Sequence, residues 1–314
     1  MSILSRPPVA DALARVFARV VRPAPKPGVR FPDIEGDRSD DVVVTRHGPT
    51  PVTIYRPPAS GTIYRPRADT TDRPAVYVNV HGGGFVVGHP EQDDPWCRYL
   101  AAHAGVVVVN VDYVLAPGHR FPAAAEQLLD VVRWAADPDR DWDGARLCVG
   151  GQSAGGNLSA AVSRMALEQH GPAIALQVLH YAPLDLVTPT AEKASPLGSR
   201  AVLKPWMGEV FDTAYIPDPA HRRHRLASPA WGTNADDIAG IAPALVITTE
   251  YDRLRDEGAR YAAKLDAAGA LVRHHDVTGV DHGYNVMSDN TEVTRYMYDL
   301  IVAEVRTATA PRQP

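Results

Sequence analysis

The stretch that most constrains the fold of this chain is the run Gly-Gly-Gln-Ser-Ala-Gly-Gly-Asn at residues 150–157. It contains Gly-x-Ser-x-Gly, with an apolar segment that predicts a strand before it and a segment that predicts a helix after it. A strand that turns abruptly into a helix strains its turn residue, and flanking glycines keep Cβ atoms from colliding with neighbouring elements. Such a turn would hold the Ser153 hydroxyl at a sheet edge beside a helix N-terminus, which suits a nucleophile. The spacing alone fits a simple glycine-rich turn equally well.

Apolar segments of strand length alternate with segments of helical periodicity through most of the chain. The predicted strands are 42–44, 75–80, 106–111, 147–150, 177–181, 244–249 and 272–277, and the predicted helices are 96–104, 123–136, 157–162, 261–268 and 291–307. This alternation favours an α/β fold with a mostly parallel sheet. The pentapeptide Thr-Ile-Tyr-Arg-Pro occurs at 53–57 and again at 62–66. We expect one copy to pair in the sheet and the other to extend a surface hairpin.

Two segments do not follow this alternation. Residues 1–30 place apolar side chains at helical spacing with arginines between them, which predicts an amphipathic helix that packs on the rest of the protein. A targeting peptide is the alternative, but the arginines interrupt any apolar core and no small-residue cleavage site follows. Residues 186–234 are rich in Pro, His and Arg and carry their own aromatic residues, which favours an inserted subdomain over a bare loop. We interpret its histidines and arginines as a solvated face rather than a metal site.

The composition argues against several classes of function. The chain has 314 residues, of which 32 are basic and 37 acidic, so its net charge of −5 leaves no basic surplus for nucleic acid or anionic lipid. Its apolar runs are too short to span a bilayer. The only cysteines, Cys97 and Cys148, fall in a predicted helix and a predicted strand. We therefore expect two free thiols and a reducing, cytoplasmic compartment, with a single disulfide as the alternative.

A catalytic serine needs a base and an acid that orients the base. Acidic residues follow the predicted strand 244–249, at the sheet edge that also carries the turn of Ser153. Asp252 lies in the loop itself and is the best candidate. The competing acids belong to the strand end, to the start of the next helix or to the loop after the next strand, and they are Glu250, Asp256, Glu257 and Asp281.

The candidate base lies in the loop after the predicted strand 272–277. There His282 precedes Gly283, which gives the loop conformational freedom. Its Nε2 can take the proton from Ser153 while its Nδ1–H bonds a carboxylate. The rival histidines lie within predicted strands or end one, and they are His180, His274 and His275.

Several motifs, taken in chain order, resemble those of one known family. They are His-Gly-Gly-Gly at 81–84, Gly-Gln-Ser-Ala-Gly-Gly at 151–156, Asp-Arg-Leu-Arg-Asp at 252–256 and His-Gly-Tyr at 282–284, with Val-Asp-Tyr-Val-Leu-Ala-Pro at 111–117 and Phe-Pro-Ala-Ala at 121–124 as further matches. Together they resemble the hormone-sensitive-lipase-like family of serine esterases, an α/β-hydrolase group rich in bacterial carboxylesterases. The resemblance implies the α/β-hydrolase fold, with a mostly parallel central sheet flanked by helices and a helical cap subdomain.

The resemblance also implies roles for individual residues. Ser153 would be the nucleophile, Asp252 the acid and His282 the base. The oxyanion hole would be formed by three backbone N–H groups, those of Gly83, Gly84 and Ala154. Glycines make physical sense there because side chains would block the approach of backbone donors to the developing oxyanion. A phosphate-binding loop is the alternative reading of the glycine run, and the missing Lys and P-loop spacing disfavour it.

The resemblance assigns the two segments outside the alternation to a cap over the pocket. Residues 1–40 would be the N-terminal part of the cap and 187–232 its insertion, while 41–186 and 233–314 would form the two parts of the hydrolase core. The candidate walls of the acyl pocket are Trp206, Met207, Val210 and Phe211, with ordinary packing inside the cap as the alternative.

Three sites depart from the family pattern. Gln152 stands where the family usually has Asp, Arg253 where it has Pro, and Val114 and Gly118 where it has Arg and Glu. None of these changes removes a member of the triad. They affect the hydrogen bonds behind the site, and therefore the rate and the stability of the catalytic loops.

The sequence thus predicts a serine carboxylesterase that hydrolyses short- to medium-chain esters through an acyl-enzyme on Ser153, without a metal or an organic cofactor. Amide or lactone hydrolysis by the same triad is the alternative enzyme. A non-catalytic small-molecule receptor is disfavoured, because the plant gibberellin receptors that resemble this family lack the histidine that His282 provides. The expected partner is a small-molecule ester, without nucleic acid or stable membrane insertion. A homodimer is a hypothesis taken from relatives.

Overall fold

In the part of the chain that the structure describes, one sheet of eight strands organises the fold. The computed structural model describes residues 2–22, 24–34, 36–58 and 73–311. Its strands are β1 (Asp37–Thr45), β2 (Gly48–Arg56), β3 (Ala75–Val80), β4 (Val107–Val111), β5 (Asp143–Gln152), β6 (Leu176–His180), β7 (Ala244–Thr249) and β8 (Leu271–Val277), in the spatial order β1-β2-β4-β3-β5-β6-β7-β8. All neighbours from β4 through β8 pair in parallel, whereas β2 pairs antiparallel with both β1 and β4. The mostly parallel sheet that the sequence predicts is confirmed.

Helices cover both faces of the sheet. The α-helices of the described residues are α1 (Pro7–Val20), α2 (Asp94–Ala104), α3 (Ala123–Ala135), α4 (Ala154–Glu168), α5 (Pro205–Tyr215), α6 (Arg255–Ala267), α7 (Tyr284–Met287) and α8 (Thr291–Ala308), of which α1 and α5 pack on each other. In β3, Val76 and Val78 pack in the cluster that holds the buried residues of α3 and α4, while Tyr77 packs in the cluster of α2 and α8. Because successive side chains of a strand point to opposite faces, a strand covered on both sides is apolar throughout. This explains the continuous apolar runs in the sequence.

The Thr-Ile-Tyr-Arg-Pro copy at 53–57 pairs in the sheet, as expected for one of the two copies. Its residues up to Arg56 belong to β2, where Tyr55 pairs with Arg38 on one side and Val108 on the other. The second copy, at 62–66, and the hairpin expected of it lie outside the described residues.

The segments that break the alternation contact each other. The Phe17 ring of α1 packs edge to face against two rings of α5, with centroid distances of 5.5 Å to Trp206 and 5.6 Å to Phe211. The amphipathic helix predicted near the N-terminus is therefore present and packs on the segment between β6 and β7. The first strand already begins at Asp37, so the last residues of the segment 1–40 belong to the sheet.

The structure also bears on the cysteines and on membrane-spanning segments. Cys97 and Cys148 are both buried and free, as the sequence suggested. Within the part of the chain that the structure describes, no helix combines the length and the apolarity that a membrane crossing requires.

Candidate active site

Ser153 lies at a strained turn between β5 and α4. Its φ of 53° and ψ of −123° lie outside the regions that residues other than glycine usually adopt. The turn packs tightly on the end of β3. A Cβ on Gly151 would lie 2.1 Å from the Val80 carbonyl oxygen, and one on Gly155 would lie only 1.9 Å from it. The glycines flanking Ser153 are therefore a steric requirement of this turn. The serine hydroxyl is held at the carboxyl edge of the sheet.

The structure brings Ser153, His282 and Asp252 into one hydrogen-bonded chain. His282 Nε2 lies 2.9 Å from Ser153 Oγ, and His282 Nδ1 lies 2.7 Å from Asp252 Oδ2. Both the histidine and the aspartate are almost completely buried. With the ring proton on Nδ1, the imidazole donates to the carboxylate and accepts from the serine hydroxyl, which is the arrangement of a general base.

Local hydrogen bonds fix the two loops that carry His282 and Asp252. The Leu254 N–H donates to Asp252 Oδ1 over 3.0 Å, and the His282 N–H donates to Asp281 Oδ1 over 2.7 Å. Gly283 has a φ of 70°, which favours glycine and starts the turn into α7. Asp281 thus contacts the backbone of the loop rather than the imidazole ring.

Most of the other acids and histidines considered from the sequence hydrogen bond to groups outside the chain on Ser153. Glu250 Oε2 accepts from the Gly279 N–H over 2.7 Å, and Glu257 accepts from the Leu184 N–H over 2.8 Å. His180 Nε2 faces the Tyr284 hydroxyl at 3.1 Å, and His274 Nε2 faces the Thr248 hydroxyl at 3.0 Å. The remaining candidates, Asp256 in the first turn of α6 and His275 in β8, are not part of the chain on Ser153.

The glycine loop after β3 borders Ser153. Its turn is held by the N–H groups of Val86 and Val87, which both donate to the Gly83 carbonyl. Within the described residues, no acceptor pairs with the N–H groups of Gly83, Gly84 or Ala154. A Cβ on Gly84, whose φ is 60°, would lie 2.4 Å from the Phe211 ring. The loop therefore offers free backbone donors close to a ring of α5.

His81 braces this loop. Its Nδ1 lies 2.7 Å from the Gly82 carbonyl oxygen, and its ring stacks on Tyr113 with 4.2 Å between centroids. The Tyr113 hydroxyl also donates to the His81 carbonyl over 3.0 Å. Complete burial lowers the pKa of His81 to about 4, so the ring is neutral at physiological pH.

A buried polar network lies directly behind the nucleophile. Gln152 Nε2 donates to Asp93 Oδ1 over 2.5 Å, and Gln152 Oε1 accepts from the Tyr181 hydroxyl at 2.6 Å and from Asn285 Nδ2 at 2.8 Å. Asp93 Oδ2 accepts from Asn79 Nδ2 over 2.9 Å. Burial raises the pKa of Asp93 to about 7, although these amide bonds favour the carboxylate. Three segments of the chain thus meet at Gln152.

The other two departures from the family pattern, at Arg253 and Gly118, have different structural consequences. The Arg253 guanidinium donates to three backbone carbonyls between β6 and β7, those of Leu203, Lys193 and Gly198, at 3.0, 2.5 and 2.8 Å. A Cβ on Gly118 would meet nothing closer than the Leu115 carbonyl oxygen at 3.5 Å, an ordinary contact. Arg253 therefore replaces the rigidity of a proline with hydrogen bonds, whereas Gly118 shows no special backbone requirement.

An apolar pocket adjoins Ser153 and His282. Its volume is about 1090 Å³ when the solvent-filled space at its opening is included. Of the wall residues suggested by the sequence, Met207 and Phe211 line it. Val210 is fully buried behind the lining, and Trp206 is 41% exposed and packs on α1. The latter two therefore belong to the packing of the segment rather than to the pocket.

Sequence reasoning missed several polar residues near the site. Asp93, Lys193 and Asp212 are buried, and Lys193 and Asp212 line the pocket. Each lies in a segment without a motif of its own, so no local signal could have identified it. Among the described residues, no three His, Cys, Asp or Glu side chains are grouped as a metal site requires.

The family model described as the alpha/beta hydrolase fold matches residues 77–286. The chain belongs to this family. The match includes Ser153, Asp252 and His282 and confirms the resemblance that the sequence motifs suggested.

Known relatives of this α/β hydrolase carry esterase names. Carboxylesterase NlhH of Mycobacterium tuberculosis is 34% identical to it over 240 residues, which span 74% of this chain and 70% of the relative. Ethyl acetate hydrolase of Pseudomonas putida is 35% identical over 258 residues, spanning 81% and 77%. Among solved structures, a hyperthermophilic esterase from the archaeon Pyrobaculum calidifontis matches with a TM-score of 0.76 at 32% identity, covering 99% of this chain and 93% of that one.

Proposed function

We propose that the protein is a serine carboxylesterase that hydrolyses short- to medium-chain carboxylic esters. The observation that carries the proposal is the chain from Asp252 through His282 to Ser153, with bonds of 2.7 and 2.9 Å, whose Ser153 and His282 line an apolar pocket. The esterase names of relatives at 34% and 35% identity support the same substrate class.

In the proposed mechanism, Ser153 Oγ attacks the ester carbonyl carbon while His282 Nε2 takes the hydroxyl proton. The Asp252 carboxylate stabilises the imidazolium that forms. The N–H groups of Gly83, Gly84 and Ala154 donate to the oxyanion, and their lack of other acceptors among the described residues supports this role. His282 then returns the proton to the departing alcohol, which leaves an acyl group on Ser153. Water activated by the same histidine releases the acid.

The cap assignment belongs to this proposal. We infer that residues 1–36 and 187–232 together form the cap and that 37–186 and 233–314 form the hydrolase core, because β1 already begins at Asp37. The packing of Phe17 on Trp206 and Phe211 supports a joint cap. A pocket covered in this way favours small esters that enter from solution over emulsified triglyceride. A cytoplasmic location, supported by the buried free thiols of Cys97 and Cys148, and a homodimer are further parts of the proposal.

The test is hydrolysis of p-nitrophenyl acetate, butyrate, octanoate and palmitate by wild type, Ser153→Ala and Ser159→Ala. Ser159 is a buried serine in α4, the helix that follows Ser153, and serves as the matched control. We expect turnover of the short esters, a loss of at least about 10³-fold in Ser153→Ala and little change in Ser159→Ala. Folded wild-type protein that is inert on all four esters would overturn the proposal. Parallel assays with the corresponding anilides and with small lactones distinguish amide and lactone hydrolysis by the same triad.

A further inference from the structure

A buried carboxylate lies in the wall of the substrate pocket with no hydrogen-bond partner among the described residues. Asp212, on α5, is 8% exposed and lines the pocket that adjoins Ser153. No residue in the described ranges donates a hydrogen bond to its carboxylate or approaches it to ion-pair distance. Its oxygens are accessible from the pocket, and a ligand that fills the pocket would leave them unpaired unless it carries a donor.

The geometry of α5 directs Asp212 to the pocket. Gly208 and Asp212 are one helical turn apart, and both line the pocket together with Phe211. A Cβ on Gly208 would lie 1.9 Å from Thr190 Oγ1, which shows how closely this face of the helix packs on the pocket segment before it. The carboxylate is therefore held on the inner face of α5.

The cations near Asp212 are already engaged. Lys193 Nζ lies 2.5 Å from Glu257 Oε2 and donates to the Asp185 carbonyl over 2.6 Å. Arg222 donates to the Ile216 carbonyl at 3.1 Å and to the Thr213 hydroxyl at 3.0 Å. Burial raises the pKa of Asp212 to about 6, against the longer-range attraction of Lys193 and Arg222 and with some repulsion from Asp185. Near neutral pH the side chain is therefore mainly an ionised acceptor.

We propose that Asp212 binds a hydroxyl group carried by the ester substrate at the end of a chain remote from the scissile bond. This inference rests on the esterase function proposed above and names its substrate class: hydroxylated esters. A hydroxyl suits the site better than an ammonium group, because an added charge would have to be desolvated among apolar walls such as Leu186 and Leu203. The hydroxyl can be supplied by the acyl chain or by the alcohol chain.

The expected consequence is selectivity between esters that differ only in this hydroxyl. An unsubstituted chain would leave the Asp212 carboxylate buried and unpaired, whereas a hydroxylated chain donates to it. A hydrogen bond to a charged group corresponds to a preference of at least about tenfold in kcat/KM.

Two matched pairs of esters test the inference and distinguish the two sources of the hydroxyl. The acyl pair is methyl hexanoate and methyl 6-hydroxyhexanoate, and the alcohol pair is hexyl acetate and 6-hydroxyhexyl acetate, with eight-carbon homologues of each. Initial rates are measured by titration of the released acid for wild type, Asp212→Leu, Asp212→Asn and Glu209→Gln. Glu209 is on the same helix and outside the pocket lining, which makes it the control.

We expect wild type and Glu209→Gln to prefer the hydroxylated member of one pair by at least about tenfold. Asp212→Leu should abolish this preference, and Asp212→Asn should retain part of it because its amide oxygen still accepts. Should Asp212→Leu not fold, the Asn variant must still show a reduced preference. Equal rates within both pairs, a preference that survives in the Leu variant, or faster turnover of methyl 6-aminohexanoate than of the hydroxy ester would overturn the inference while leaving the esterase function intact. Inactivity of wild type on every ester would overturn both.

Discussion

The side-chain amide of Gln152 donates to the carboxylate of Asp93, with 2.5 Å between Nε2 and Oδ1, directly behind the nucleophile. The same side chain accepts from Tyr181, which follows β6, and from Asn285, which lies in the same segment as His282. Gln152 therefore connects the turn that carries Ser153 to the segments that carry Tyr181 and Asn285. An aspartate at position 152 would be shorter and would bring a second negative charge towards Asp93. The glutamine is therefore matched to its buried partner.

We expect Gln152→Glu to destabilise the protein by about 2–4 kcal/mol above neutral pH, because two carboxylates would then face each other in a buried site. Adding Asp93→Asn should recover most of this loss, since the new amide can donate to the introduced carboxylate. Urea unfolding at pH 8 of wild type, both single variants and the double variant gives the coupling free energy. A coupling near zero would show that the two side chains do not interact as described. The kcat on p-nitrophenyl butyrate should follow the same pattern.

Features that repeat along the chain or lie close together in sequence could be predicted. The continuous apolar run of β3 and the glycines around Ser153 follow from rules that act over a few residues, and both agree with the structure. The meeting of Ser153, Asp252 and His282 at one edge also follows from the parallel sheet, whose strands end there. Their order along the chain follows from the family pattern and not from the sheet.

Partnerships over long separations could not be predicted in the same way. Gln152 and Asp93 are 59 positions apart, and Arg253 and the Lys193 carbonyl are 60 apart. No sequence pattern at one partner identifies the other, because a buried acceptor can be paired with any donor that the fold brings near. Asp212 is the extreme case, since its proposed partner is not in the chain. The departures at positions 152 and 253 could thus be noticed in the sequence but not interpreted.

Gly84→Ala tests the proposed oxyanion loop. The substitution should lower kcat/KM on p-nitrophenyl butyrate by at least about 10²-fold, because a Cβ disfavours the backbone conformation that presents the N–H donors. At the φ of 60° found here, that Cβ would also lie 2.4 Å from the Phe211 ring. Gly118→Ala is the matched control, since its Cβ would meet nothing closer than 3.5 Å. Unchanged activity in a folded Gly84→Ala protein would contradict the assignment.

Arg253 should stabilise the segment between β6 and β7. Arg253→Met removes all three hydrogen bonds to backbone carbonyls and should lower the free energy of unfolding by about 1–3 kcal/mol, with faster limited proteolysis between residues 193 and 203. Arg253→Lys should recover only part of this, because a single ammonium cannot reproduce the planar fork. The control is Arg255→Met, which removes an exposed ion pair with Asp276 and should cost less than about 1 kcal/mol. Equal losses in the two Met variants would be inconsistent with a special role of Arg253.

His180 should make the protein less stable in acid. Burial, with a smaller contribution from His282, lowers the pKa of His180 to about 3 from its ordinary value of 6.5. As the pH falls below 6.5, the unfolded chain takes up a proton at this position while the folded protein does not. The stabilisation is therefore complete above that pH and is lost progressively towards pH 3. Between neutral pH and pH 4, this difference should lower the free energy of unfolding by about 3 kcal/mol.

The variant His180→Gln isolates this contribution, because a glutamine can still hydrogen bond to the Tyr284 hydroxyl but does not titrate. Urea unfolding between pH 4 and pH 7 should show a shallower loss of stability for the variant than for wild type. His221→Gln, at an exposed position, should keep the wild-type slope. Parallel curves for wild type and His180→Gln would mean that the folded protein accepts the proton, in which case the Tyr284 hydroxyl must reorient to accept from the charged ring.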